Sequence, residues 1–366
     1  MDSHFNLKID RLKARLRELT HLSGVASAEA EVARYLYNAL QPLADEVIAD
    51  AYGNIIAVRH GRDRGLRLMI AAHSDEVGLM VRAISPDGFL RFHTIGAVSP
   101  TVLPATRVLV AGRVPGVIGT VAGHLEVDGV ARTRAVSELH IDVGARDEAE
   151  VRAWGVREGD PVTFVSELIE LHNPRLVMGK AIDNRIGCAV LLEIFHELQG
   201  ASLNGELFGV VNVMEEMGLR GARMTTSRVR PDWAIALDTV PAEDTPLSTE
   251  RAFGLGRGPV VQLIEGRPQA LVGTAIHPKV RDLLLAVAES AGIPIQLSAQ
   301  YGHWTTDAAA IHLSGEGVPV GSVSIPRRYS HSPNELLDLS DAALAAQLLT
   351  ALVYRNGQEL RLGVLE

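Results

Sequence analysis

Four apolar segments of strand length in this chain run into side chains that can bind a metal. These side chains are His73 and Asp75 after LRLMIAA, Glu215 and Glu216 after GELFGVVNV, Asp238 after DWAIAL, and His331 after GVPVGSVSIP. Such continuous apolar runs are typical of strands buried on both faces. Helix patterns such as HPKVRDLLLAVAESAG alternate with them, which predicts an α/β fold with a mixed, mostly parallel sheet flanked by helices. In open sheets of this kind, ligands bind beyond the carboxyl ends of the strands.

The middle of the chain has a different pattern. Between residues 78 and 176, short β-like runs alternate with Gly, Pro and Asp turns, and a helical pattern occurs only near Asp147 to Trp154. This alternation of short β-like runs and turn residues predicts a small β-rich domain inserted into the main one. We therefore expect a catalytic domain made of residues 1–77 and 177–366, with residues 78–176 as the insert.

Composition narrows the function classes. The 366 residues include 35 Lys and Arg against 44 Asp and Glu, a formal charge of -9. This acidic balance argues against a general nucleic-acid binder. No run reaches the roughly 18 apolar residues of a membrane span, and charges interrupt the N-terminus where a signal peptide would need an apolar core. With one cysteine, nothing in the chain calls for an oxidising compartment, so we expect a cytoplasmic protein with no membrane partner.

The side chains after the strands suit a divalent metal. Two histidines and several carboxylates are the ligands that zinc takes in proteins. A fifth candidate, Asp183, lies at the start of a helix predicted for residues 184–198 and can be placed beside the strand ends. A pair of metals about 3.5–4 Å apart activates a water and polarises a carbonyl. Taken singly, each of these acids is more often a helix cap or a solvated loop residue, so the prediction depends on their convergence at one edge.

Five motifs, in this order, resemble the M42 family of metallo-aminopeptidases: AAHSDEVGLMV, GKAIDNRIGC, VMEEMGLRGA, ALDT and IPRRYSHSPNE. The likeness extends over nearly the whole chain and includes GARDEAEVRAWGVREGDPVTF and AEDTP. It implies a cocatalytic dizinc enzyme that assembles as dimers into a tetrahedral dodecamer. The β-rich insert would serve in dimerisation.

The resemblance also implies residue roles. Five residues would bind metal, with His73 and Glu216 on one ion, Asp238 and His331 on the other, and Asp183 bridging the two. Glu215 would be the general base that takes a proton from the metal-bridging water. Asp75 would hydrogen-bond to His73 from behind and fix its tautomer, as outer carboxylates do.

One segment departs from the family pattern. Where the family commonly has a glycine-rich GGTDA-like run, this chain has GHWTTDAAAIH. We expect the bulkier His303, Trp304 and Thr305 to reshape a wall of the substrate pocket. The alternative for Trp304 is a packed aromatic side chain in a core or an interface, since Trp is often largely buried.

Two other features are given structural interpretations. The loop GLGRG at residues 254–258 resembles part of a phosphate loop but lacks the GxxxxGK[ST] pattern, so we expect no nucleotide site there. Cys188 lies in an apolar helical stretch, which predicts a buried structural thiol rather than a nucleophile.

The sequence as a whole predicts a metallo-aminopeptidase that removes N-terminal residues from peptides and uses two divalent metal ions. Zinc is expected, although carboxylate-rich sites also accept cobalt or manganese. One alternative is a glycoside hydrolase that uses a carboxylate pair, but the two histidines would then have no necessary role. The other alternative is a metal-binding scaffold without activity, which the presence of Glu215 disfavours.

Overall fold

The computed structural model describes residues 3–62, 65–121, 133–246, 248, 252–268, 272–357 and 361–365. Its α-helices, labelled α1 to α8 in chain order, are Ser3–His21, Ala30–Leu40, Glu148–Ala153, Ile182–Glu197, Arg220–Val229, Pro278–Ala291, Ala308–Ile311 and Leu339–Val353. Within these residues no helix is both long enough and apolar enough to cross a membrane.

The large sheet is mixed and has eleven strands in the described part of the chain. With strands numbered in chain order, its main path runs β1 (Glu46–Ala49), β2 (Ile55–Arg59), β12 (Glu206–Asn212), β3 (Arg67–His73), β13 (Trp233–Pro241), β18 (Val320–Arg328), β19 (Glu335–Asp338), β11 (Leu176–Gly179) and β10 (Ile169–Glu170). A branch of β14 (Val260–Gln262) and β17 (Gln296–Ser298) leaves from β18. The central strands β12, β3, β13 and β18 are parallel, whereas both ends of the main path are antiparallel. The predicted mixed α/β sheet is therefore confirmed.

Helices cover both faces of this sheet, which explains the unbroken apolar runs. In β3, Leu68 and Ile70 belong to the core that α1, α2, α4, α6 and α8 complete. Between them Met69 belongs to a second core with α5 and α7, because successive strand residues point to opposite faces. Helix α4 is buried from Ile182 to Phe195, including charged side chains such as Arg185 and Glu193.

Six strands within the described residues 78–164 of the predicted insert form a closed barrel. These strands are β4 (Gly78–Ile84), β5 (Leu90–Ile95), β6 (Arg107–Val110), β7 (Val114–Gly119), β8 (His140–Asp142) and β9 (Pro161–Phe164). The barrel has a hydrophobic core of its own, which includes Leu79, Phe92, Val108 and Ile141. After the last barrel strand, the chain rejoins the large sheet at Ile169, the first residue of β10. A separate hairpin, β15 (Ile264–Arg267) and β16 (Val272–Ala275), lies outside both sheets.

The parallel register brings the strand ends together at one edge. His73, the last residue of β3, pairs with Asn212, the last residue of β12. On the other side of β3, the register of β13 against β18 pairs Asp238 with Ser324. The carboxyl edge of the four central strands is consequently where the predicted metal ligands can meet.

Candidate metal centre

The Nε2 atom of His73 lies among three carboxylates at this edge. It is 3.4 Å from Asp183 Oδ1, 3.5 Å from Asp238 Oδ1 and 4.0 Å from Glu215 Oε2. All four residues are buried. His73 ends β3, Asp238 lies within β13 and Glu215 follows the end of β12, while the start of α4 supplies Asp183.

His331 forms a second set on the other side of Asp183. Its Nε2 atom is 3.2 Å from Asp183 Oδ2 and 3.2 Å from Glu216 Oε1. Each oxygen of Asp183 therefore faces a different histidine. The ligand atoms of His73, Glu215 and Asp238 all lie within 4.8 Å of one another, and so do those of Asp183, Glu216 and His331.

This pairing corrects the one that the family resemblance implies. His73 lies with Asp238 rather than with Glu216, and His331 lies with Glu216 rather than with Asp238. The reason is the strand order, since β3 and β13 are neighbours in the sheet and present His73 and Asp238 side by side. Asp183 lies between the two sets in both arrangements.

The electrostatics of the site show an excess of buried negative charge. Burial raises the pKa of Glu215 well above its ordinary value, and the nearby carboxylates of Glu216 and Asp238 raise it further against the opposing effect of His73. Burial also raises the pKa of Asp238. Carboxylates kept ionised away from water need a cation close by.

The residues present fit a pair of divalent metal ions on chemical grounds. Two imidazoles, each facing carboxylate oxygens at 3.2–3.5 Å, form a nitrogen and oxygen donor set that suits zinc and similar ions. Asp183 offers one oxygen to each set. The structure thus brings together all five residues predicted as ligands, His73, Asp183, Glu216, Asp238 and His331.

Asp75 supports the site in a way the sequence did not indicate. Its Oδ1 atom is 3.4 Å from His73 Nδ1, but its hydrogen bonds go elsewhere. Oδ1 accepts the backbone N–H of Glu215 and Oδ2 accepts that of Glu216, both at 3.0 Å. One carboxylate therefore fixes the backbone of both glutamates as well as lying behind the histidine.

Neighbouring Glu215 and Glu216 both reach the site because the chain turns around them. Met214 has φ of 53° and Gly218 has φ of 101°, values in the left-handed region that few non-glycine residues adopt. His331 is in the same region with φ of 56°. Strain of this kind, about 1–3 kcal/mol per residue, is concentrated at functional sites.

Two further buried carboxylates hold the backbone of the site, and sequence reasoning missed both. Glu335 accepts the N–H of Asp183 at 3.0 Å and the N–H of His331 at 2.9 Å. Glu29 accepts the N–H of Met214 at 3.0 Å, and burial raises its pKa to about 7. Glu335 was within a motif already noted, four residues after His331, whereas nothing in the sequence marked Glu29.

A cavity of about 550 Å³ opens onto both sets of ligands. His303, Trp304 and Thr305 line it, so the segment that departs from the family pattern forms part of its wall. Trp304 is also packed, as the alternative interpretation expected. Its ring meets that of Phe253 edge to face at 6.3 Å, and its indole N–H donates to Gln262 Oε1.

The two other sequence features have structural explanations. In the GLGRG loop, the N–H groups of Gly256 and Gly258 both donate to the buried carboxylate of Asp341 at 2.7 Å. An internal anion therefore occupies these amide groups. Cys188 is fully buried, its Sγ atom lies 3.1 Å from the carbonyl oxygen of His73, and burial raises its pKa to about 12. The prediction of a buried thiol is confirmed.

Comparison with known proteins gives a consistent assignment. The sequence profile described as M42 glutamyl aminopeptidase matches residues 53–348. The lysyl aminopeptidase of Pyrococcus furiosus is 33% identical over 86% of this chain and 88% of its own length. The solved structure of aminopeptidase APDkam598 from Desulfurococcus kamchatkensis is 35% identical, with 100% of both chains covered, and superimposes with a TM-score of 0.90.

A further solved structure is the TET1 peptidase of Pyrococcus horikoshii, described as able to assemble into a tetrahedron or a large octahedral shell. It is 27% identical over 94% of this chain and 99% of its own, with a TM-score of 0.83. The profile match covers most of the chain, and the relatives cover it almost from end to end. The protein therefore belongs to the M42 peptidase family and is an aminopeptidase, a hydrolase.

Proposed function

We propose that this aminopeptidase uses two divalent metal ions, with His73, Asp183 and Asp238 holding one and Asp183, Glu216 and His331 holding the other. The observation that carries the proposal is Asp183, whose two oxygens lie 3.4 Å from His73 Nε2 and 3.2 Å from His331 Nε2. A carboxylate placed between two imidazoles in this way suits a bridging ligand. When bound, the ions supply the positive charge that acidifies a water and polarises the scissile carbonyl.

Glu215 is the general base in this proposal. Of the three carboxylates around His73 it is the most distant, at 4.0 Å, and it lines the cavity. Its carboxylate accepts the proton of the attacking water and passes it to the departing amine, as a positioned base does. Asp75 is a positioning residue, because it holds the backbone of Glu215 through a hydrogen bond.

The substrates we propose are peptides with a free N-terminus. The free α-amine lies near the carboxylates of the cavity, where Glu215, Glu216 and Asp238 converge. Zinc is the metal we propose first, since imidazole and carboxylate ligands suit it, and cobalt or manganese fit the same oxygen-rich set.

We also propose a homo-oligomer in which the barrel mediates dimerisation. The likeness to the TET1 peptidase, which assembles into a tetrahedron or a larger shell, supports a tetrahedral dodecamer here. The barrel has a self-contained core, so its outer surface is available for contacts between copies.

A panel of aminoacyl-p-nitroanilides tests the reaction. We expect cleavage that EDTA abolishes and that zinc, cobalt or manganese restores. Asp183→Ala should lose both metal and activity, whereas Glu215→Gln should keep metal and lose a factor of about 10²–10⁴ in kcat. A glycosidase that works with carboxylates alone would tolerate EDTA, and near wild-type kcat in Glu215→Gln would show that another group is the base.

A further inference from the structure

Arg327 is a buried cation beside the carboxylate that both metal sets share. Its side chain, only 2% exposed, lies at the end of β18. The Nη2 atom contacts Asp183 Oδ2, and the same oxygen is 3.2 Å from His331 Nε2. A guanidinium and an imidazole thus converge on one oxygen of Asp183.

Two buried carboxylates, Asp183 and Glu335, lie beside this guanidinium. Its Nε atom is 3.4 Å from Glu335 Oε1, and Glu335 in turn accepts the backbone N–H groups of Asp183 and His331. Within the described residues, Nε and Nη1 of Arg327 have no hydrogen-bond partner. Arginine does not lose its proton in proteins, so the positive charge stays at this position.

The two oxygens of Asp183 are consequently in different environments. Oδ1 faces His73 at 3.4 Å. Oδ2 faces His331 and already carries the contact with Arg327. An ion held by Asp183, Glu216 and His331 has to share Oδ2 with a fixed cation, and like charges repel strongly in a buried site.

We infer that Arg327 makes the two metal sites unequal. The ion held by His73 and Asp238 binds tightly, and the ion held by Glu216 and His331 binds at least tenfold more weakly. The inference rests on the proposed dinuclear site and adds that this chain controls the occupancy of its second ion through Arg327.

Equilibrium zinc titration tests this inference without an activity assay. The whole protein, depleted of metal by dialysis against a chelator, is titrated with zinc in competition with a chromophoric chelator. We expect two binding steps whose dissociation constants differ by at least tenfold. Arg327→Gln should tighten the second step by at least tenfold and leave the first within about threefold, whereas Arg327→Lys, which keeps the charge, should leave the steps far apart.

A matched control is the adjacent Arg328→Gln. Arg328 is paired with Asp244 at 2.7–2.8 Å and does not line the cavity, so both steps should be unchanged. His331→Ala should remove the weak step alone, and adding Arg327→Gln to it should not alter the step that remains.

Three results would overturn the inference. Two equally tight ions in the wild-type protein would contradict it, as would an Arg327→Gln variant that binds both ions more weakly while its circular dichroism spectrum and Tm match those of the wild type. Both results would leave the dinuclear site itself intact. Failure of the wild-type protein to bind any zinc, cobalt or manganese would instead overturn this inference and the proposed function together.

Discussion

Two arginine side chains outside the candidate metal centre add positive charge to the lining of the substrate cavity. Arg223 on α5 and Arg267 at the end of β15 both line it, and within the described residues neither forms an ion pair. Every acidic residue that lines the cavity belongs to the two sets of candidate metal ligands. A carboxylate on the substrate is therefore attracted to these arginines.

This arrangement predicts a preference for acidic N-terminal residues. We expect glutamyl-p-nitroanilide to be cleaved faster than lysyl-p-nitroanilide. Arg267→Ala or Arg223→Ala should lower kcat/KM for the glutamyl substrate about tenfold, equivalent to about 1.4 kcal/mol. Arg228→Ala, on the same helix as Arg223 but outside the cavity, is the control. An equal decrease in kcat/KM for the glutamyl and lysyl substrates would show that the arginines do not recognise the charge of the substrate side chain.

At this scale the sequence predicted the ligands but not what surrounds them. His73 and His331 were detectable because each follows an apolar strand within a motif. Arg327 belongs to the same motif as His331. Nothing in the sequence indicates that its guanidinium contacts Asp183, which lies 144 residues earlier in the chain. Contacts of this kind depend on how the strands pack, and residue type alone does not encode them.

The elements themselves were easier to predict than their pairing. Apolar periodicity predicted a helix at residues 184–198, and the structure has it at Ile182–Glu197. The order of strands in the sheet was not accessible, because β12 lies beside β3 and β2 only through contacts between distant segments. The same missing information led to the wrong pairing of His73 with Glu216.

One ion-pair cluster between elements allows a stability prediction. Glu193 on α4 is fully buried and accepts hydrogen bonds from Arg11 and Arg15 on α1, with Arg15 Nη1 at 2.7 Å from Oε2. Burial raises the pKa of Glu193, but the two arginines lower it more, so its pKa lies below the ordinary value of 4.5. A carboxyl with a lowered pKa stabilises the fold above its unfolded pKa and loses that effect as the pH falls through the folded pKa.

We therefore expect Glu193→Gln to destabilise the protein by about 2 kcal/mol at pH 7, through the loss of charged hydrogen bonds. Denaturant unfolding at pH 7, 5 and 4 measures the difference in the free energy of unfolding between this variant and the wild type. We expect that difference to be unchanged at pH 5 and smaller below pH 4.5. The control is Glu148→Gln, since Glu148 pairs with Arg152 at the surface, where water screens the pair and it contributes little to stability. A difference that is independent of pH would mean that packing, and not charge, is lost.

At the scale of the whole molecule, the barrel has two partly exposed apolar side chains that an interface between copies would bury. Val117 on β7 is 38% exposed and Trp154 at the end of α3 is 37% exposed. Aromatic side chains that are buried at an interface contribute strongly to association. If the barrel joins copies of the chain, a charge at Trp154 should weaken the assembly and leave the catalytic domain folded.

Multi-angle light scattering tests that expectation. A dodecamer of the 39.3 kDa chain has a mass of about 470 kDa. Trp154→Glu should shift the population to smaller species, with far-ultraviolet circular dichroism unchanged. Tyr52→Glu is the control and should leave the mass of the assembly unchanged. Tyr52 lies in the turn between β1 and β2 and is more exposed than Trp154. A monomeric wild-type protein would refute the proposed assembly, and disruption by Tyr52→Glu alone would move the interface from the barrel to the catalytic domain.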